Sequence, residues 1–407
     1  MKSPCISSRL SFLGDFMTQN KKLLCIAIGS VLAGNAFADC FDECWEYDPC
    51  NDSVKEARIA PTEEQEAPRK AVTCNPANAA SQALFNITNL SFTSIGSRID
   101  NLRDADLIAY APASLKSMQA NHRGVASGIV ATKEIKHGAW VKAIGNHARQ
   151  DQRNGFDGYK SNSAGITIGA DTRLDNDMIV GGAFTYIDTD VNARDTATGS
   201  GSEIKSYQGT GYLSRDYGTW HLDALLAYTK QQSKTQRVVG PFNMTGKFDG
   251  DLFSTRVTAG KRMEVANSKM VVTPFVSLQY DHLKQDGYTE NGLAPLTVNR
   301  TTASRLTSGL GARLVTEATV AGRQIKPSVT AQWLHEFKQE GLNTSGTVGG
   351  GGAFVSEGQK AVKNLLGLGT SVMMPVGRNA AVSIGYNYEG ATKYQSHGYE
   401  LVYQYWF

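Results

Sequence analysis

The sequence predicts an all-β chain, a twelve-stranded antiparallel transmembrane β-barrel with an N-terminal helix in the lumen and a short cysteine-containing segment before it. Three observations carry this expectation. From about residue 138 to the last residue, strand-like runs of roughly 10–15 residues alternate apolar and polar positions between turns rich in Gly, Asn and Asp, the dyad signature of a membrane barrel. The composition fits, with 41 glycines, 16 tyrosines and 15 phenylalanines among 407 residues and only 19% charged residues. Finally, an export signal opens the chain, and after residue 38 no apolar stretch approaches the ~18–20 residues a spanning helix needs.

The signal reads Met17-Thr-Gln-Asn-Lys-Lys, then an apolar run from Leu23 to Gly34, then Asn35-Ala36-Phe37-Ala38. A basic start, an apolar centre and an Ala-x-Ala ending are the three parts of a secretory signal. Residues 1–38 are therefore assigned to it, with the start at Met17 a second possibility, and cleavage is expected between Ala38 and Asp39. A formal net charge of +3 with no long basic run gives no reason to expect nucleic acid as a partner.

Residues 39–75 form a short acidic segment, with ten carboxylates against four basic residues between Asp39 and Cys74. Cys40, Cys44, Cys50 and Cys74 all fall within it. An even number of cysteines in an oxidising compartment reads most simply as two disulfides, with three pairings open. A zinc site is the alternative, but these spacings match no familiar zinc pattern and no histidine lies between them. No metal or other cofactor is expected.

Residues 76–137 are expected to be a helical linker and pore helix. From Pro76 to about Arg103, Leu84, Ile87, Ser91, Ile95, Ile99 and Leu102 recur at three- to four-residue intervals on a segment rich in Ser, Thr and Asn. Such a stripe is too weak for a free-standing helix. A second helical piece is expected from Ala113 to His122.

Residues 138–407 are expected to be the barrel. The twelve strands are placed at 138–149, 162–174, 177–191, 203–216, 218–232, 247–262, 269–283, 299–317, 321–338, 359–374, 379–390 and 396–407. The alternation is clear in Trp220 to Thr229, where Trp, Leu, Ala, Leu and Tyr oppose mostly His, Asp, Ala and Thr. It is equally clear at the end, where Tyr399, Leu401, Tyr403, Tyr405 and Phe407 oppose Glu400, Val402, Gln404 and Trp406. A soluble sandwich also alternates, but its strands usually run 5–6 residues. Eight strands leave a lumen filled by side chains and sixteen leave a water channel, so twelve have room for roughly one helix. Arg256, Arg305 and Arg313 fall on the less apolar faces and are expected to line the lumen in the ordinary way.

These residues resemble the autotransporter β-domain, the translocator of type V secretion. Gly138-Ala139-Trp140-Val141-Lys142-Ala143-Ile144-Gly145 is similar to that family's opening strand. Gly155-Phe156-Asp157-Gly158-Tyr159 with Gly165 to Asp171, Thr273-Pro274-Phe275 to Tyr280, Ser308 to Arg313, and Pro327 to Phe337 are similar to later stretches, in the same order. The resemblance implies a monomeric integral barrel in the Gram-negative outer membrane, in contact with lipid, that exports or displays the segment before it. It also implies delivery by periplasmic chaperones and insertion by the barrel-assembly machinery. Tyr403, Tyr405 and Phe407 look like the C-terminal assembly signal. Arg98 to Asp104 resembles the helix segment of self-cleaving members, but the Asn-Asn junction of those members is absent here. The alternative is a porin-like or adhesin-like barrel with a periplasmic N-terminal segment. An enzyme is not expected: Asp281 and His282 are adjacent on a strand and point to opposite faces, and no Gly-x-Ser-x-Gly elbow occurs.

Overall fold

The computed structural model describes residues 76–105 and 137–407, apart from 155, 175–177, 338–342, 350–351, 357–361 and 377–378. Contacts divide the chain into Met1–Gln65 and Glu66–Phe407, and every described residue lies in the second unit. The signal, the four cysteines and the expected helix at 113–122 lie outside the described residues.

Among the described residues, twelve long strands form one closed antiparallel sheet. They are β1 (His137–Gln150), β2 (Tyr159–Arg173), β3 (Met178–Ala193), β4 (Gly201–Tyr217), β5 (Trp220–Val239) and β6 (Phe242–Lys261). The second half comprises β7 (Val271–Gln285), β8 (Thr301–Val315), β9 (Arg323–Glu336), β10 (Asn364–Pro375), β11 (Ala380–Ala391) and β12 (Tyr394–Trp406). Neighbours in sequence pair throughout, and β1 closes the ring on β12 in a register from Gly138↔Trp406 to Gln150↔Tyr394. Closure leaves no unpaired ladder edge, the condition a sheet must meet in lipid. The even strand number puts His137 and Phe407 at the same end, where their backbones exchange two hydrogen bonds. That end is called here the terminal end and the opposite one the loop end, where the longest connections, 286–300 and 337–363, are found.

Period-2 alternation sorts each strand as expected. In β5, Trp220, Leu222, Leu226 and Tyr228 face outward while His221, Asp223, Leu225, Ala227 and Thr229 are buried in the lumen. Two details differ from the sequence reading. The sequence places a long turn between residues 232 and 247, but β5 runs on to Val239 and β6 starts at Phe242. Beyond the apolar band both strand faces are polar, for example Lys234, Thr235, Gln236 and Arg237, so hydrophobic contrast disappears while the ladder continues. Gly240, with φ of 57°, supplies the left-handed residue of the two-residue turn. In addition, the long loop-end connections build a small four-stranded sheet from Tyr288–Thr289, Leu296–Val298, Thr344–Val348 and Gly352–Ser356. Its core joins Tyr288, Leu296, Val298 and Phe354 to Phe248 of β6.

Among the described residues one α-helix, α1 (Pro76–Ala105), lies inside the barrel. Proline suits a first helical position, where its missing N–H costs nothing. At 1.5 Å per residue its 30 residues reach about 45 Å, more than the ~30 Å hydrocarbon core. Ala80 and Ala83 pack on Tyr159, Val191 and Ile204 at the loop end. Ile87 meets Ile144 and Ile187 lower down, and Phe92, Ile95 and Ile99 meet Trp140, Tyr212, Leu225 and Ala227. The helix therefore enters at the loop end and finishes at the terminal end.

Candidate functional site

The interior of the barrel is the site this architecture builds, and its occupant is α1. The helix is buried on nearly all sides, polar residues included: Ser81, Thr88, Ser91, Ser94, Arg98 and Arg103 are as enclosed as Leu84 or Phe92. This explains its weak amphipathicity, because a lumen wall is polar and rewards hydrogen bonding around most of the helix circumference.

The strongest anchors lie in the half near the terminal end. Arg98 grips Asp171 of β2 in a two-pronged pair, Nε to Oδ2 at 2.9 Å and Nη2 to Oδ1 at 2.8 Å. Its remaining nitrogen donates to Gln404 of β12. Side-chain exposures of 1% and 3% exclude water from this pair. Tyr212 donates its hydroxyl to the same carboxylate at 3.0 Å and accepts from the Trp140 indole at 3.2 Å. These two rings fit because their cross-strand partners are glycines: a Cβ on Gly169 would stand 2.3 Å from Trp140, and one on Gly181 2.2 Å from Tyr212. One turn further along, Arg103 donates to Asp223 at 2.6 Å, Asp100 at 2.9 Å, Asp216 at 3.0 Å and Ser214 at 2.8 Å. Lys142 of β1 reaches inward to the Ser94 carbonyl at 2.7 Å and to Glu400 at 3.1 Å.

The other half is held by barrel arginines. Arg256 donates to Thr93 and Asn89 and lies over the Phe92 ring at 5.3 Å. Arg305 donates to the Phe85 carbonyl at 3.2 Å, pairs with Asp281 and lies 4.7 Å over the Phe85 ring. Back at the terminal end, Arg313 approaches Asp100 at 3.7 Å. The expectation that these three arginines merely line the lumen is corrected: each contacts the helix. Asn89 also donates to Glu389, and Thr344 of the small sheet donates to Asn78 at 2.8 Å.

The expected assembly-signal residues Tyr403 and Tyr405 face outward on β12, 46% and 44% exposed, and Phe407, just past its end, is 50% exposed. Asp281 and His282 separate as expected, Asp281 inward to Arg305 and His282 toward Ser304. Sequence reasoning missed Asp171, Lys142, Asp223 and Glu400. The available signal was a charge at an inward position of an otherwise apolar-faced strand, which needs a counter-charge.

The helix packs mainly against β2 to β5, and a cavity of about 140 Å³ remains on its opposite flank, lined by Thr93, Gly96, Ser277, Gln332 and Gly369 among others. Among the described residues one trio brings donor atoms close enough for a cation: Asp100, His221 and Asp223, within 4.8 Å of one another at the terminal-end side of that cavity.

Comparison with known proteins returns structures that share this barrel fold. The fold is similar to the translocator domain of autotransporter NalP from Neisseria meningitidis, with TM-score 0.57, 16% identity, and coverage of 79% of this chain and 98% of that one. It is likewise similar to the β-domain of the Bordetella autotransporter Brka, with TM-score 0.52, 18% identity, and coverage of 67% and 100%. In sequence, the chain is 28% identical over 241 residues to outer membrane protein A of Rickettsia conorii, covering 56% of this chain and 12% of the relative. It is 25% identical over 292 residues to outer membrane protein B of Rickettsia prowazekii, covering 67% and 18%. The chain thus spans less than a fifth of the length of these two curated relatives. The autotransporter β-domain family model matches residues 139–387, and the chain belongs to that family, an integral translocator barrel of the outer membrane.

Proposed function

We propose that the barrel displays its own N-terminal segment, residues 39–75, at the cell surface and remains joined to it through the lumen helix. The observation that carries this reading is the direction of α1. Its first residue, Pro76, lies at the loop end, and its last, Ala105, at the terminal end with both barrel termini. A chain entering the membrane from the periplasmic side, with its strand ends left there, then places whatever precedes Pro76 outside. The barrel acts as a transport and anchoring unit without catalysis of its own. The helix that fills the lumen speaks against an open porin.

Four further assignments belong to this reading. The signal is cut between Ala38 and Asp39. Cys40, Cys44, Cys50 and Cys74 form two disulfides in a small acidic cap. Tyr403, Tyr405 and Phe407 are read by the barrel-assembly machinery after delivery by periplasmic chaperones, and the barrel works as a monomer. The test is protease and thiol-probe access at residues 39–75 in intact cells, with mass spectrometry of the membrane-extracted protein. Surface cleavage of a disulfide-bonded segment attached to the barrel is expected. A segment reached only after the outer membrane is permeabilised would overturn display, and four free thiols would overturn the bridges.

A further inference from the structure

We infer that Asp100, His221 and Asp223 form a divalent-cation site that links the lumen helix to the barrel wall, with Zn²⁺ the best-matched ion. Asp100 comes from α1, while His221 and Asp223 are inward neighbours two residues apart on β5. One donor atom of each lies within 4.8 Å of the other two.

Each donor is left available by its surroundings. Arg103 takes Oδ1 of Asp100 and Oδ1 of Asp223, so Oδ2 of Asp223 faces His221, while Oδ2 of Asp100 meets Arg313 Nε only at 3.7 Å, beyond hydrogen-bond distance. His221 is 5% exposed, and its Nδ1 has no hydrogen-bond partner. Its Nε2 stands 3.8 Å from Asp223 Oδ2, too far for a hydrogen bond. Metal bonds of about 2.0–2.2 Å put two donors on one ion roughly 3–4 Å apart, so this separation suits chelation.

The surroundings supply the remaining requirements. Arg103 orients both carboxylates as an outer-shell donor, the usual support for ligating carboxylates. The three aspartates Asp100, Asp216 and Asp223 face two guanidiniums, Arg103 and Arg313, which leaves one net negative charge for the cation to meet. The adjoining cavity of about 140 Å³ has room for the waters that complete coordination. One imidazole with two carboxylates favours a borderline ion such as Zn²⁺ over Mg²⁺ or Ca²⁺, which take oxygen alone. The ion binds the helix and β5 at once, so occupancy holds the helix in the lumen.

The test uses the full exported protein in detergent, alkylated with iodoacetamide so that no thiol competes. Titration with Co²⁺ should give a visible ligand-field band saturating at one ion per chain and displaced by Zn²⁺. His221→Ala should weaken binding by on the order of tenfold or more, with the heat-modifiable gel shift of the folded barrel retained. Asp100→Asn, on a partly exposed helix position, gives a second variant with the same expectation. No band in the wild type, or a band that neither substitution weakens, would overturn the site.

Discussion

Replacing Arg98 by Met tests what keeps the helix in the lumen. The substitution conserves the unbranched stem and removes the guanidinium, so Asp171 and Gln404 lose three donated hydrogen bonds. Removing one partner of a buried pair costs about 3–5 kcal/mol, because the other charge is left buried without compensation. Side-chain exposures of 1% and 3% mean that solvent screening does not reduce this figure. Tyr212 still donates to Asp171 at 3.0 Å, so the lower value applies. A loss of about 3 kcal/mol corresponds to a roughly 150-fold rise in the undocked population. Outside the lumen the weakly amphipathic helix does not persist, so undocking exposes its amides to exchange. Hydrogen exchange read by mass spectrometry on peptides covering residues 85–100 should therefore show protection falling by about two orders of magnitude. The double variant Arg98→Met with Asp171→Asn should recover much of the loss, since no isolated charge remains. Protection in Arg98→Met within a factor of about three of wild type would refute the reasoning.

Other consequences can be checked separately. Deleting residues 76–105 should turn a low-conductance barrel into an open channel in planar bilayers, and equal conductance would show that the helix does not plug the lumen. Gly169→Ala should cost about 1–3 kcal/mol by driving a Cβ into Trp140, lowering the temperature at which the gel shift is lost; an unchanged midpoint would contradict the close fit. Removing Tyr405, Trp406 and Phe407 deletes the β12 end that pairs with β1, and outer-membrane levels should fall while export continues. At the loop end, hydrogen bonds from Arg149 and Arg194 hold the Asp151 carboxyl below the usual carboxylate range. Its contribution is present above the unfolded value near 3.9 and is lost as pH falls through the lower folded value. On so exposed a group it amounts to no more than about 1 kcal/mol. Exchange of the Asp151 amide, which donates to the Lys393 carbonyl, should rise across that acidic window once corrected for intrinsic rate.

The strand count, the inward and outward faces and the presence of a helix ahead of the barrel were legible in the sequence because all three are local. Parity along Trp220 to Thr229, or along Tyr399 to Phe407, needs no knowledge of the neighbouring strand. The same reasoning failed between Gln232 and Lys247, where β5 and β6 leave the apolar band and contrast vanishes although pairing continues. The site was legible only in part. Arg98 and Arg103 could be placed on a helix, and Asp171, Asp223 and Glu400 on inward faces, but nothing local says which carboxylate meets which guanidinium. That choice follows from closure of β1 on β12, from the register of each hairpin and from the depth and rotation of α1, and these fix distances between residues as far apart as Arg98 and Gln404. The same holds for Arg256, Arg305 and Arg313, whose inward faces the sequence determined and whose helix contacts only the assembled barrel decided.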